Sequence, residues 1–312
     1  MFEVSREQVL EAAVRIAGSV VRTPLARASI RGRNVWLKCE CLQTGGAFKL
    51  RGASNRLLAL SDAERARGVV AFSSGNHAQG VAIAAHRLGI KATIVMPSDA
   101  PALKVEGTRA NGAQIIFYHR MTESREAIAA EIAASSGAIV VPSFDDPWIV
   151  AGQGTVGLEI SDELGGDPPA IIIPVGGGGL ASGIALACPN SRIIGAEPEG
   201  WDDMRASIEK GEIVPVGPNP PPTLCDALQT PRVSPITFSV LDSRNASIVS
   251  VGDAEVSDAV RWAWSEQKLV VEPGGAAGLA ALLSGKADLE EGMVVVLSGG
   301  NIDPALHARL IA

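Results

Sequence analysis

Lys49 stands in the run Gly-Gly-Ala-Phe-Lys, ahead of Leu50-Arg51-Gly52-Ala53 and a helix-like stretch. An amine is a nucleophile only after losing its proton, and burial beside an aromatic ring such as Phe48 can lower a lysine pKa enough for that. Alone, the segment suits an ordinary surface lysine equally well. Gly176, Gly177, Gly178 and Gly179 are a stronger signal, because they follow the apolar run Ile171 to Val175 and precede a helix-like run opening at Leu180. Several backbone N–H groups can then converge on an anion at a helix N-terminus. Four consecutive glycines cost more backbone entropy than a tight turn requires. No G-x-G-x-x-G or Gly-Lys-Ser/Thr pattern accompanies them, so the dinucleotide and Walker readings weaken and a phosphate remains.

Ser73-Ser74-Gly75-Asn76-His77 lies at the end of a strand-like run, just before a helix, where open α/β sheets bind ligands. Its hydroxyls, amide and backbone N–H groups suit a carboxylate, although for one such segment an N-cap is the commoner explanation. Ser298-Gly299-Gly300-Asn301 repeats the situation after the last strand-like run, and Glu272-Pro273-Gly274-Gly275-Ala276 opens a helix after another. Each alone could be turn chemistry. If the strands are parallel, all four loops converge on one crevice.

The elements that must position these loops follow a regular rhythm. Ser5 and Gln8 fit a capping box, with Leu10, Ala13, Val14 and Ala17 as the buried face of an opening helix. Strands are expected at 69–72, 92–96, 114–118 and 138–141, alternating with helices at 79–88, 103–110 and 124–134 that end at Gly89, Asn111-Gly112 and Gly137. Short apolar strands joined by helices mean a parallel sheet covered on both faces. The rhythm resumes with helices near 153–164, after the glycine run, 254–267 and 275–284, and strands near 171–175, 193–196, 248–251 and 293–297. The proline-rich residues 211–235 should be mostly loop. The expected architecture is α/β with open, twisted, mostly parallel sheets: a large domain from residues 1–67 and 146–312, a small βαβ domain at 68–145, and the site in the cleft between them.

With 312 residues, 46% of them hydrophobic, the chain can bury substantial cores. A net charge of −7 and a pI near 5.2 argue against nucleic acid or an anionic membrane as partner and favour small metabolites. Cys39, Cys41, Cys188 and Cys225 contain no C-x-x-C pair and the histidines are scattered, which points to reduced, buried thiols. The N-terminus resembles no leader and no apolar run approaches a membrane span, so a cytoplasmic location is expected.

Gly-Ala-Phe-Lys-Leu-Arg-Gly-Ala, Ser-Ser-Gly-Asn-His-Ala-Gln-Gly, the tetraglycine run, Glu-Pro-Gly-Gly-Ala and Ser-Gly-Gly-Asn-Ile-Asp occur here in the order and spacing of one family. The chain resembles, over nearly its whole length, the serine/threonine dehydratase and serine racemase family of fold type II pyridoxal-phosphate enzymes, with a tryptophan synthase β-like fold. The resemblance implies that Lys49 holds pyridoxal 5′-phosphate covalently and that Phe48 and Asn76 flank its ring and phenolic oxygen. It also implies that Gly176 to Gly179 and Leu180 hold the phosphate, that Ser298 faces the pyridine nitrogen, and that Ser73 to His77 bind the substrate carboxylate. A hydroxyl rather than a carboxylate at the ring nitrogen makes the cofactor a weaker electron sink, which suits β-elimination. The implied reaction converts a β-hydroxy amino acid, either serine, threonine or 3-hydroxyaspartate, to a 2-oxo acid and ammonia, in an enzyme expected to be a homodimer.

Several residues place the chain nearest the serine racemase and 3-hydroxyaspartate dehydratase branch. There a serine matching Ser74 faces the substrate Cα opposite the lysine, where many threonine dehydratases have alanine; it permits racemization, or serves only as a carboxylate ligand. Residues matching Glu197 and Asp203 and the carbonyl of Trp201 bind Mg²⁺ or another hard divalent cation such as Ca²⁺ or Mn²⁺ in that branch, although a solvated acidic turn has the same composition. The arginine matching Arg125 approaches the substrate side chain and could pair with a distal carboxylate, while an exposed helical arginine explains it as simply. Asp226-Ala227 departs from the family's usual Asp-Gly and implies a narrower pocket. The sequence ends at residue 312, so the regulatory domain of biosynthetic threonine dehydratases, and inhibition by isoleucine, are not expected. The rivals are a racemase with side elimination and, from another class, an amino-acid-binding protein without catalysis, against which intact Lys49, Ser74 and Asn76 count.

Overall fold

The computed structural model describes residues 4–73, 75–100 and 102–312. Ser5 caps α1 (Arg6–Arg15) through the reciprocal box with Gln8. Its buried face, however, is Val9, Ala12 and Ile16, while Leu10 and Val14 are exposed. Two stripes of identical spacing run one position apart along this helix, so periodicity could not choose between them. Packing does: Val9 lies against Gly154, where an added Cβ would sit 2.8 Å from a valine methyl. An antiparallel hairpin not expected from the sequence follows, β1 (Leu25–Ile30) and β2 (Arg33–Lys38), turned through Arg31 and Gly32 at positive φ.

Helices α2 (Lys49–Leu58) and α3 (Asp62–Arg67) lead into the alternation β3 (Val69–Phe72), α4 (Asn76–Leu88), β4 (Ala92–Pro97), α5 (Ala102–Ala110), β5 (Gln114–Tyr118), α6 (Arg125–Ser136) and β6 (Ile139–Val140). These strands form a parallel sheet in the order β5-β4-β3-β6. Gly89 and Gly137 end α4 and α6 in the left-handed conformation, which glycine adopts without a Cβ penalty.

The remaining elements are α7 (Pro147–Leu164), β7 (Ala170–Pro174), α8 (Gly179–Ala187), β8 (Arg192–Pro198), α9 (Asp203–Lys210), α10 (Pro235–Ser243), β9 (Ser247–Val251), α11 (Asp253–Gln267), α12 (Pro273–Ser284), β10 (Val294–Val296) and α13 (Pro304–Ile311). The helix expected from 153 begins earlier because Asp146 accepts the N–H groups of Trp148 and Ile149 and Pro147 occupies the first turn. The second sheet has the order β1-β2-β10-β7-β8-β9, parallel except for β1. Residues 211–235 are mostly loop, interrupted by a short 3-10 turn at Asp226–Leu228.

Strand β7 shows why its sequence lacks polar alternation. Ile172 packs with the alanines and leucines of α12 on one face, and Ile171 and Ile173 pack with Val150 and Ile184 on the other. Small residues bring α12 close, so that a Cβ on Gly278 would touch the Ile172 carbonyl at 3.4 Å. Behind α2, Arg51 is fully buried and paired with Glu40 and Glu159, a network that anchors the helix carrying Lys49. The loops after β3, β7 and β10 open on one cavity. Among the described residues no helix is long and apolar enough to cross a membrane.

Candidate active site

Lys49 begins α2 and reaches a cavity of about 640 Å³ between the two sheets. Phe48, Ser73, Gly75, Asn76, His77, the glycines 176–179, Leu180 and Ser298 line it as well. The Lys49 ammonium donates to the Ser143 carbonyl at 3.0 Å and lies 5.0 Å from the Phe48 ring centre. No carboxylate pairs with it among the described residues. The side chain is only partly covered because it opens on the cavity, yet burial of the amine lowers its pKa to about 8. That is the condition a nucleophilic amine requires.

Gly178, at φ +84°, turns the chain from β7 into α8, whose N-terminal N–H groups receive no side-chain cap. An added Cβ would collide at Gly177 with the Phe144 ring and at Gly178 with Met204 Cε at 2.8 Å, and would be tightly packed at 3.1 Å at Gly176 and Gly179. An uncapped helix start beside a cavity containing a nucleophilic lysine fits a phosphate-bearing aldehyde. Ser298 is nearly buried and lies in the wall of the same cavity.

The Ser73 to His77 turn opens α4. The His77 ring faces the Val141 carbonyl through Nε2 at 2.9 Å, leaving Nδ1 buried without a partner among the described residues. Burial first, and then the charge of Lys49, pull its pKa to about 3, so the ring is neutral. With the ring engaged at the wall, this turn would meet a carboxylate through backbone N–H groups. Ser74 lies outside the described residues. Asn76 donates to Glu272 Oε1 and accepts from Asn301 Nδ2 at 2.8 Å.

Arg125 lines the cavity, but its Nε donates to Glu126 at 2.8 Å and its guanidinium sits 5.5 Å from the Phe72 ring centre. Sequence reasoning brought the Glu272 loop and Asp226 to the site without giving either side chain a role, and it did not single out Lys104 and Arg232, which also line the cavity. Lys104 is ion-paired with Asp226, whereas the exposed Arg232 has no carboxylate partner among the described residues. For Glu272 a signal existed: glutamate is a poor N-cap, yet it stands where α12 begins.

The acidic loop lies apart from this cavity, behind the glycine turn. Glu197 is buried and accepts the N–H groups of Met204 at 3.1 Å and Arg205 at 2.9 Å, in effect capping α9. Asp203 Oδ2 accepts from Val233 N at 2.7 Å, while its Oδ1 is buried with no partner among the described residues. Burial pushes Asp203 up to about 7 and Glu197 well above the usual carboxylate range. The Trp201 indole donates to the Pro221 carbonyl at 2.8 Å. No group of three or more His, Cys, Asp or Glu side chains is arranged around a common metal position among the described residues. A cation here would rest on two carboxylates and a main-chain carbonyl. A shallow depression near Glu199 holds charges already paired, Asp202 with Arg205 and Lys286 with Glu199.

Comparison with known proteins accords with this arrangement. The chain is 42% identical to an L-threo-3-hydroxyaspartate ammonia-lyase from Pseudomonas sp., covering 98% of both chains. It is 40% identical to an L-threonine ammonia-lyase from Thermotoga maritima, over 99% of this chain and 78% of the relative. Among solved structures, maize serine racemase superposes with a TM-score of 0.93 at 37% identity, over 99% of this chain and 97% of that one. The family model described as pyridoxal-phosphate dependent enzyme matches residues 16–299, and the chain belongs to that family.

Proposed function

We propose that the protein is a pyridoxal-phosphate-dependent ammonia-lyase that removes water from a β-hydroxy amino acid, with L-threo-3-hydroxyaspartate the preferred substrate class and serine or threonine its competitors. The observation that carries this reading is Lys49: a partly buried amine with a pKa near 8, in one cavity with an uncapped helix start and a carboxylate-suited turn. The 42% identical ammonia-lyase relative supports the substrate class. Bound there, the cofactor supplies an electron sink for the bond broken at Cα.

The protein's own residues divide the remaining work. The N–H groups of Gly176 to Leu180 would hold the phosphate, Ser298 would present its hydroxyl to the ring nitrogen, and Phe48 and Asn76 would flank the ring. The Ser73 to Asn76 backbone orients the substrate carboxylate. Lys49 would remove the Cα proton as a neutral amine, and a nearby acid would give the β-hydroxyl the proton with which it leaves as water. Hydrolysis of the released enamine gives a 2-oxo acid and ammonia. Residues 1–67 and 146–312 act as one domain and 68–145 as a second that closes over the substrate and excludes water. The protein works as a cytoplasmic homodimer, and Mg²⁺, or Ca²⁺ or Mn²⁺, bound by Glu197, Asp203 and the Trp201 carbonyl, is a structural activator.

Serine racemase is the second reading, favoured by the maize likeness, and it gives Ser74 the role of the proton-handling group opposite Lys49. Keto acid and ammonia are to be measured with both enantiomers of serine and threonine and the stereoisomers of 3-hydroxyaspartate, with product chirality followed in parallel. The lyase reading expects keto acid and ammonia in equal amounts, highest for the hydroxyaspartate, and none from Lys49→Ala. Racemization without ammonia sinks it, as does a protein that gains no visible absorbance band from the cofactor.

A further inference from the structure

Glu272 stands at the start of α12, yet its side chain does not cap that helix. It turns into the cavity wall, where Oε1 accepts from Asn76 and Oε2 is buried without a partner among the described residues. Gly299 makes the space, since a Cβ there would collide with Oε1. Asn76 is fixed from its other side: Asn301 Nδ2 donates to the Gly45 carbonyl and to Asn76 Oδ1, both at 2.8 Å. With its oxygen identified as the acceptor, the Asn76 amide has one orientation. It gives one N–H to Glu272 and keeps one for the cavity.

A carboxylate at Glu272 is costly. Burial, the largest influence, and the negative charge of Asp226 push its pKa up to about 7, against the opposing pull of Lys104 and the Asn76 amide. Lys104, on α5, is itself committed to Asp226 in the loop that follows α9. Cys225, pushed up to about 12 mainly by burial, and His77, pulled to about 3, are neutral. Lys49, on α2, lines the same cavity, as do Arg120, Arg125 and Arg232.

We propose that Glu272 is a positioning residue that works as a carboxylic acid: Oε1 aims the Asn76 amide at the phenolic oxygen of the cofactor, and the proton on the buried Oε2 keeps a negative charge out of the wall behind it. Loss of that proton places a charge near a phenolate, so the grip on the ring weakens as pH rises. The inference rests on the pyridoxal-phosphate reading above. It goes beyond that reading by assigning the proton.

Pyridoxine 5′-phosphate, which lacks the aldehyde and cannot bond to Lys49, is the probe, with its dissociation constant read by fluorescence in wild type and Glu272→Gln. Glutamine keeps the acceptor for Asn76 and replaces O–H by N–H. The affinity of wild type should fall relative to Glu272→Gln by about tenfold between about pH 6 and pH 8, and Glu272→Ala should bind more weakly at every pH. An infrared titration of the cofactor-free proteins should show, in the wild-type minus Glu272→Gln difference, a carboxylic-acid band that bleaches near pH 7 over and above the Asp203 band that both proteins share. Matching pH profiles in wild type and Glu272→Gln overturn the proposal, as does an infrared band unchanged by the substitution. If wild type forms no Lys49-dependent visible band with pyridoxal 5′-phosphate, the functional reading has failed instead, and the infrared result still decides whether Glu272 carries the proton.

Discussion

Lys104 on α5 and Asp226 in the loop that follows α9 form an ion pair that joins the half built on the four-stranded sheet to the half built on the six-stranded sheet. Lys104 is only 6% exposed, so its ammonium has little water to fall back on if the pair breaks. Asp226 keeps nearly half of its side chain in solvent, which discounts the pair to about 1 kcal/mol. Both residues line the cavity, so the pair bridges the two halves beside the substrate's space. Lys104→Met should therefore raise KM for the amino acid by about five- to tenfold and leave kcat nearly unchanged. Asp226→Asn should do the same, and the double variant should be no worse than either single one. Additive losses across that cycle would show that the two residues act separately.

Burial lowers Lys49 to about 8, below its ordinary value of 10.5. In the cofactor-free protein the folded state thus binds fewer protons than the unfolded one between those values. This contribution to stability is present above the unfolded pKa and is lost as pH falls through about 8. The same titration governs capture of the cofactor, because only the neutral amine attacks an aldehyde. The rate of appearance of the visible band after mixing with pyridoxal 5′-phosphate should rise with pH to a midpoint near 8, and borohydride trapping should fail in Lys49→Ala. A midpoint in the ordinary lysine range would mean that the amine is solvated.

What the sequence revealed and what it hid divide along a physical line. The strands and helices between Val69 and Val140 follow from local apolar rhythm and glycine caps, and they stand where that rhythm puts them. The glycine run and the Ser73 to His77 turn were legible because strand ends are where open α/β sheets bind ligands. The hairpin of β1 and β2 escaped notice because Arg27, Arg31, Arg33 and Asn34 break its apolar alternation. The chain from Asn301 through Asn76 to Glu272 links positions roughly two hundred residues apart, and no local pattern records which amide meets which acid. The same holds for Arg51 buried between Glu40 and Glu159.

Selectivity for a dicarboxylic substrate requires a cation with hydrogen bonds to spare. Arg125 gives its Nε to Glu126, and Lys104 is engaged with Asp226, whereas Arg232 lines the cavity with no acidic partner among the described residues. Both arginines should contribute, because the Arg125 guanidinium retains its terminal N–H groups. Arg125→Ala and Arg232→Ala should each lower kcat/KM for 3-hydroxyaspartate by about tenfold, or about 1.4 kcal/mol, and leave serine within about twofold. Equal losses for the two substrates would remove the arginines from side-chain recognition.

Met204 connects the acidic loop to the phosphate site. It is fully buried in the first turn of α9, the turn capped by Glu197, and it lies directly under Gly178. A divalent cation held by Glu197 and Asp203 would occupy the partnerless Asp203 Oδ1, fix that turn and so fix the floor of the glycine loop. Chelation should then lower the melting temperature by about 2–4 °C for each kcal/mol of binding energy lost. It should also weaken binding of pyridoxine 5′-phosphate, and Mg²⁺ should restore both. Asp203→Asn should be insensitive to chelator and to Mg²⁺ alike while keeping the bond to Val233 N through its amide oxygen. If wild type ignores the chelator, Asp203 is a structural acid and the loop under Gly178 is held by the Glu197 cap alone.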